Sequence, residues 1–175
     1  MNLVKLLLVV FLIIPIISSC GYDIDEKLLL ARSNINKGSF ETARYYLETV
    51  IKEDSSRGEA YLLFGKLENK EENFEAAISH LNKVISADPT NLEAFKERAY
   101  SNRRLGLYQN AIKDLSRLLI IYDKDGSIFF ERGNVYFDNN ELDNACQDWK
   151  RAFELGYGEA DRVYQKFCVK VEISE

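Results

Sequence analysis

Apolar residues along this chain fall at helical spacing inside stretches of about a dozen residues. The stretches themselves return at a constant period, the spacing that separates Ala43, Ala77, Ala111 and Ala145. Phe40, Phe74, Tyr108 and Leu142 stand three residues before these alanines, and Leu47, Leu81, Leu115 and Trp149 four after them. Val50, Val84, Leu118 and Ala152 follow, with Ile51, Ile85, Leu119 and Phe153 beside them. Apolar residues at these offsets form one stripe of an amphipathic helix. Ahead of each such helix lies a second apolar-periodic stretch with a small residue in it, Ala31, Gly65, Ala99 or Gly133, where two helices can approach closely. Helix breakers or caps separate the two: Gly38-Ser39, Asn73, Gly106 and Asn139-Asn140. Thr90 and Glu93 have the spacing of a capping box. The expected fold is all-α, a helical-hairpin unit copied four times from near Ile24, Gly58, Leu92 and Gly126. Copied units of this length stack into a solenoid.

These columns resemble the tetratricopeptide repeat (TPR) family. Tyr61, Phe64, Gly65, Ala77, Leu81, Val84 and Pro89 fill the family's aromatic, leucine, glycine, alanine and proline columns in the second unit. Phe129 to Gly133 and Ala145 to Trp149 match a bacterial variant in the fourth. The chain departs from the pattern late in the first helix, where the family's tyrosine is Asn34, Glu68 and Asn102 before Tyr136 conforms, and the closing proline occurs once. The resemblance implies four repeats over 24–157 (24–57, 58–91, 92–125 and 126–157), with a capping helix and tail over 158–175. A solenoid end exposes an apolar face unless something covers it, and Ala160, Val163, Tyr164 and Phe167 form one face of such a cap.

The N-terminus bears on compartment. Lys5 precedes an apolar run from Leu6 to Ile17, followed by Ser18-Ser19-Cys20, which reads as a secretory signal over 1–19. The run is shorter than the roughly 20 residues a membrane-spanning helix needs. Ile17-Ser18-Ser19-Cys20 resembles the bacterial lipobox, which implies cleavage before Cys20 and lipidation of that residue, with palmitate among the acyl groups expected. More than one acyl chain gives stable anchoring. A lipidated linker over 20–23 would then tether the protein to the bacterial envelope, with the outer membrane, periplasmic or surface-facing, as the expected site. Ordinary cleavage with a free Cys20 thiol is the alternative.

Removing residues 1–19 takes away Lys5 and moves the formal net charge from −5 to −6, which gives no encouragement to nucleic-acid binding. With Cys20 consumed, the chain retains Cys146 and Cys168. Cys146 is ten residues before Gly156 and Cys168 ten after Gly158, so an antiparallel hairpin sets the two thiols at one height. A disulfide is expected there, against the alternative of two buried thiols. The ten tyrosines and ten phenylalanines fall mostly in the repeat columns and are expected to pack between helices.

TPR arrays bind peptide or protein segments in the concave groove of their first helices, and the resemblance assigns four groove columns here. They are Leu28, Leu62, Lys96 and Phe130; Arg32, Lys66, Tyr100 and Asn134; Ile35, Asn69, Arg103 and Phe137; and Asn36, Lys70, Arg104 and Asp138. Six of the sixteen are basic, so the groove is expected to be locally positive with apolar spots at both ends, suited to a segment carrying carboxylates. Lys96 and Asn134 resemble fragments of the set by which some family members grip a C-terminal carboxylate. Alternatively, the basic residues simply solvate exposed helix faces. The chain has one histidine, His80, placed outward by the register, and it carries no glycine-rich phosphate loop, nucleophile elbow or paired-cysteine zinc spacing. Its acids lie at helix ends or solvent faces, away from a desolvated pocket that would separate their pKa values. The expected function is a non-catalytic, cofactor-free protein-binding scaffold. A structural accessory subunit using its convex face, around Arg44, His80 and Lys113, and an enzyme are the competing classes.

Overall fold

The structure, a computed structural model, describes residues 23–169. The signal segment, Cys20 and the end of the tail lie outside the described residues. The described chain is a run of helices: α1 (23–37), α2 (Phe40–Glu53), α3 (Gly58–Lys70), α4 (Phe74–Ala87), α5 (Leu92–Arg104), α6 (Tyr108–Ile121), α7 (Gly126–Asp138), α8 (Leu142–Glu154) and α9 (Gly158–Phe167). α1 pairs with α2, α3 with α4, α5 with α6 and α7 with α8; the pairs stack in chain order, and α9 packs on α8. The described residues form an all-α stack of helix hairpins, the expected fold class.

Two kinds of turn alternate and set the hairpin geometry. Within a unit, one residue adopts a left-handed conformation at Gly38, Glu72, Gly106 and Asn140, with φ of 76°, 61°, 73° and 62°. The amide after it reaches back to close the helix, as Leu107 N does to Asn102 O at 2.8 Å. Asn73, expected as a breaker or cap in the second unit, is the N-cap residue of α4, and the left-handed residue beside it is Glu72, which has neither glycine's freedom nor asparagine's tolerance of this region. Between units the chain stays extended, and an aspartate side chain shapes the turn. Asp54 accepts from Ser56 N at 2.9 Å, Asp88 from Thr90 N at 3.0 Å, and Asp125 from Ser127 N at 2.9 Å. Thr90 is thereby committed to Asp88, so the expected Thr90–Glu93 capping box does not form. Asn91 caps α5 instead, accepting from Ala94 N at 2.9 Å.

The alanine column Ala43, Ala77, Ala111 and Ala145 is fully buried in the seam between helices, as are Ala60, Ala94 and Ile128 on the facing first helices. Gly65 and Gly133 stand opposite Leu81 and Trp149. A Cβ at either glycine would meet the facing side chain at 2.6 Å or 2.7 Å, well inside contact distance. The small-residue column is therefore a packing requirement.

The last helix does not continue the register. Its turn is of the within-unit kind, with Gly156 at φ 84° and Tyr157 N bonded to Ala152 O at 3.0 Å. That turn starts α9 at Gly158, ahead of Ala160, the position that one further period would pair with Gly126. Ala160 is buried, and Phe167 stacks on Phe137 and Trp149 at centroid distances of 4.9 Å and 5.9 Å. A Cys146–Cys168 disulfide, with Cα atoms 5.6 Å apart, fastens the end of α9 to α8.

Candidate binding groove

The inner faces of successive first helices enclose a concave cavity of about 810 Å³. Successive first helices α1, α3, α5 and α7 contribute to its wall, so residues one period apart line it in rows. Arg32, Ile35, Asn36, Leu62, Lys66, Asn69, Lys70, Lys96, Tyr100 and Arg103 of the expected columns contribute to its wall. Leu63, Ala99, Leu115 and Val135 form apolar parts of the lining.

Several expected groove residues stand elsewhere. Leu28 is buried in the core of the first unit. Arg104 lies outside the wall, donating to Tyr100 Oη at 2.7 Å and to Glu72 at 3.2 Å, with its guanidinium 4.8 Å from the Phe74 ring centre. The fourth-unit residues are engaged by α8 and α9. Phe130 packs on Tyr157 at 5.0 Å, Phe137 packs on Trp149 and Phe167, and Asn134 accepts from Trp149 Nε1 at 3.0 Å. The apolar spot expected at that end of the groove is thus occupied by the C-terminal helix. Lys96, for its part, donates to Ser127 Oγ at 2.7 Å, so Lys96 and Asn134 do not converge on one point.

The electrostatics also differ from expectation, because the basic columns find acidic partners within the protein. Arg32 pairs with Glu59 at 2.7 Å, and Lys66 pairs with Glu93, each reaching from one first helix to the first turn of the next. Arg103 pairs with Asp138 at 2.5 Å, and Lys96 lies 3.9 Å from Asp125. Glu72, Glu93, Glu97 and Glu131 share the wall with the five basic residues. The groove is therefore mixed in charge, not positive. Sequence reading missed Glu59 and Glu93 because it followed columns of one helix face, whereas these two partners sit at the helix starts; Asp138 was among the columns, but its pairing with Arg103 was not foreseen. The available signal was the sequence offset that the Arg32–Glu59 and Lys66–Glu93 pairs share.

Asn69 is not free for a ligand. It is buried, donates to Glu97 Oε2 at 2.8 Å and accepts from the Ser101 hydroxyl at 2.6 Å, which ties α3 to α5. Two wall residues keep unspent charge: Lys70 and Glu131 have no ion-pair or hydrogen-bond partner among the described residues. Burial pushes the Glu131 carboxyl above its ordinary range. Lys96 and Arg103 act against that shift, and Asp125 and Glu97 reinforce it.

Behind the groove, one pair of positions between the two helices of each unit changes chemistry along the array. In the second unit Phe64 stacks flat on His80, with centroids 4.7 Å apart. In the third and fourth units the same positions hold bidentate ion pairs, Arg98 with Asp114 at 2.6 Å and 2.8 Å, and Arg132 with Asp148 at 2.7 Å and 2.8 Å. His80 is therefore half-buried between the rings of Phe64 and Tyr61, not turned outward, and burial lowers its pKa. Arg44 is likewise half-buried, bridging α2 to Glu68 at 2.6 Å and to Glu71. Glu68, at the position where the family pattern has tyrosine, thereby becomes a buried inter-unit partner.

A stack of helix pairs with a concave wall along its first helices defines a helical-repeat solenoid. The model of the tetratricopeptide repeat matches residues 28–92 and 62–126. The chain belongs to the tetratricopeptide repeat family. Human tetratricopeptide repeat protein 13 is 28% identical over 138 residues, covering 75% of this chain and 16% of that protein. Hsp70-Hsp90 organizing protein 3 of Arabidopsis thaliana is 20% identical over 118 residues, covering 67% of this chain and 20% of that protein. The chain thus spans a fifth or less of the length of these two relatives. The solved structure of MamA from Desulfovibrio magneticus RS-1 superposes with a TM-score of 0.74 at 15% identity, over 83% of each chain, and shares the fold. TPR proteins serve as protein–protein interaction modules.

Proposed function

We propose that this protein is a non-catalytic binding module tethered to the bacterial cell envelope, which takes an extended peptide or protein segment in its concave groove. The observation that carries this reading is the cavity of about 810 Å³, walled by successive first helices and large enough for several side chains. Its wall offers apolar surface at Leu62 and Tyr100 among polar groups, the combination by which a groove grips side chains and orients a backbone. The one imidazole is wedged between aromatic rings and serves packing. Tethering rests on the short apolar run and Ile17-Ser18-Ser19-Cys20, with acyl chains on Cys20 holding the protein to the outer membrane. No helix among the described residues is long and apolar enough to cross a membrane.

Two measurements test the proposal. Labelled palmitate should enter the wild-type protein and not Cys20→Ala, and the variant should leave the membrane fraction; an unlabelled wild type that still sediments with membranes contradicts lipid tethering. Crosslinked partner should be lost with Lys66→Ala plus Tyr100→Ala and retained with Lys113→Ala on the opposite face of the array. Equal capture by both would contradict groove binding.

A further inference from the structure

After internal pairing, the charges left in the groove wall are of opposite sign and lie at different repeats. Arg32, Lys66 and Arg103 are each matched by an acid of the next repeat, and Lys96 lies 3.9 Å from Asp125 at the end of its own repeat. Lys70, at the end of α3, has no such partner among the described residues and lines the cavity. Glu131, on α7, lines the same cavity from the fourth unit, with no hydrogen-bond donor on its carboxylate among the described residues. The repeat shows why Glu131 is left open. Its equivalent in the third unit, Glu97, receives a hydrogen bond from Asn69, and the residue in Asn69's place before Glu131 is Arg103. Arg103 turns to Asp138 instead.

A partly desolvated carboxylate without a donor is costly to keep, and a ligand that supplies one recovers that cost on binding. From these placements we infer that the groove selects an extended protein segment carrying one basic and one acidic side chain. The basic group meets Glu131 beside Glu97, and the acidic group meets Lys70. Opposite charges at separate repeats fix the direction in which the segment lies and reject segments of a single sign, because a second acid would face Glu131 and a second base Lys70. A purely acidic ligand, which the basic columns alone would suggest, is thereby disfavoured. Lys96, Arg103, Asp125 and Glu97 are the other charged groups that face Glu131.

This inference rests on the groove being the binding surface, and the test separates the two. The probe is a library of random peptide segments displayed on phage, selected against the mature protein. Wild type should enrich segments with one base and one acid at a fixed separation. Glu131→Lys should shift the enriched set to segments with two acids, and Lys70→Glu to segments with two bases. For an enriched wild-type segment, Glu131→Gln should weaken binding about tenfold or more, with the protein melting no lower than wild type. Lys66→Trp, which fills the cavity, should abolish enrichment. If Lys66→Trp abolishes it but Glu131→Lys and Lys70→Glu enrich the same sequences as wild type, the charge inference is overturned and the groove stands. If Lys66→Trp binds as wild type does, groove and inference fall together. A wild type that enriches nothing, or enriches segments of one sign, also overturns the inference.

Discussion

The change from a stacked Phe64–His80 pair to the Arg98–Asp114 ion pair one repeat later allows a transplant. Arg98 and Asp114 make two short hydrogen bonds, and their side chains are 21% and 7% exposed. Removing the arginine, as in Arg98→Leu, leaves the Asp114 carboxylate buried without its partner. Breaking such a pair costs about 3–5 kcal/mol when fully buried; the residual exposure of Arg98 places the expected loss near the lower end, about 3 kcal/mol. Removing the acid, as in Asp114→Ala, should cost less, about 1–2 kcal/mol, because the long guanidinium already reaches Asn82 at 2.5 Å and can move toward water. Replacing both partners by those of the second unit, Arg98→Phe with Asp114→His, fills the site with a pair that already packs at the equivalent positions one repeat earlier. That double variant should fall within about 1.5 kcal/mol of wild type, the range of a tolerated core exchange. Urea unfolding at neutral pH, followed by circular dichroism, measures all of these. In the cycle of Arg98→Phe, Asp114→His and their double variant, the expected coupling between the two positions is about 2 kcal/mol or more. If Arg98→Leu costs under about 1 kcal/mol, or the double exchange costs as much as Arg98→Leu and Asp114→Ala together, the reasoning from interchangeable pairs is wrong.

Three further outcomes are expected. Glu72→Gly should stabilise the protein by about 0.5–1 kcal/mol in thermal melts, because it relieves a left-handed non-glycine residue and gives up only an exposed pair with Arg104; destabilisation would contradict it. His80 has its pKa lowered by burial, so its neutral form is favoured in the fold and its contribution to stability is complete above its ordinary value of 6.5. That contribution should be lost as pH falls through 6.5 toward the lowered value, and His80→Phe should flatten stability against pH in this window; an unchanged slope would count against the burial argument. Cys146→Ser should lower stability by about 3 kcal/mol on the chain-entropy account of a 22-residue separation, and a reductant should do the same to wild type and nothing to the variant.

The repeat and its packing columns were legible in the sequence because a stacked helix pair needs the same apolar and small residues at each copy. Gly65 and Gly133 show this directly, since their neighbours leave no room for a Cβ. The Cys146–Cys168 pairing was legible for a related reason: one hairpin and two equal arms determine which thiols meet. The groove's charge was not legible. The positions of Arg32 and Lys66 followed from the period, but their neutralisation by Glu59 and Glu93 depends on the stagger between successive first helices, which no single helix face encodes. The fate of Phe130 and Phe137 depended on Tyr157 and Phe167, brought in by the early start of α9 at Gly158, and that of Asn134 on the indole of Trp149 in α8. His80 was misplaced because an outward register position in one unit became a partner for Phe64, a substitution in the facing column that packing alone reveals.

The binding role proposed for this protein turns on the concave wall being the surface that meets its partner. A photocrosslinking amino acid placed in living cells at Lys66 or Lys70, within the wall, and at Lys113 or Ile120, outside it, decides the matter. One discrete partner should be crosslinked from the wall positions and not from the outer ones. The same partner crosslinked from Lys113 and Ile120 but not from Lys66 or Lys70 would contradict groove binding.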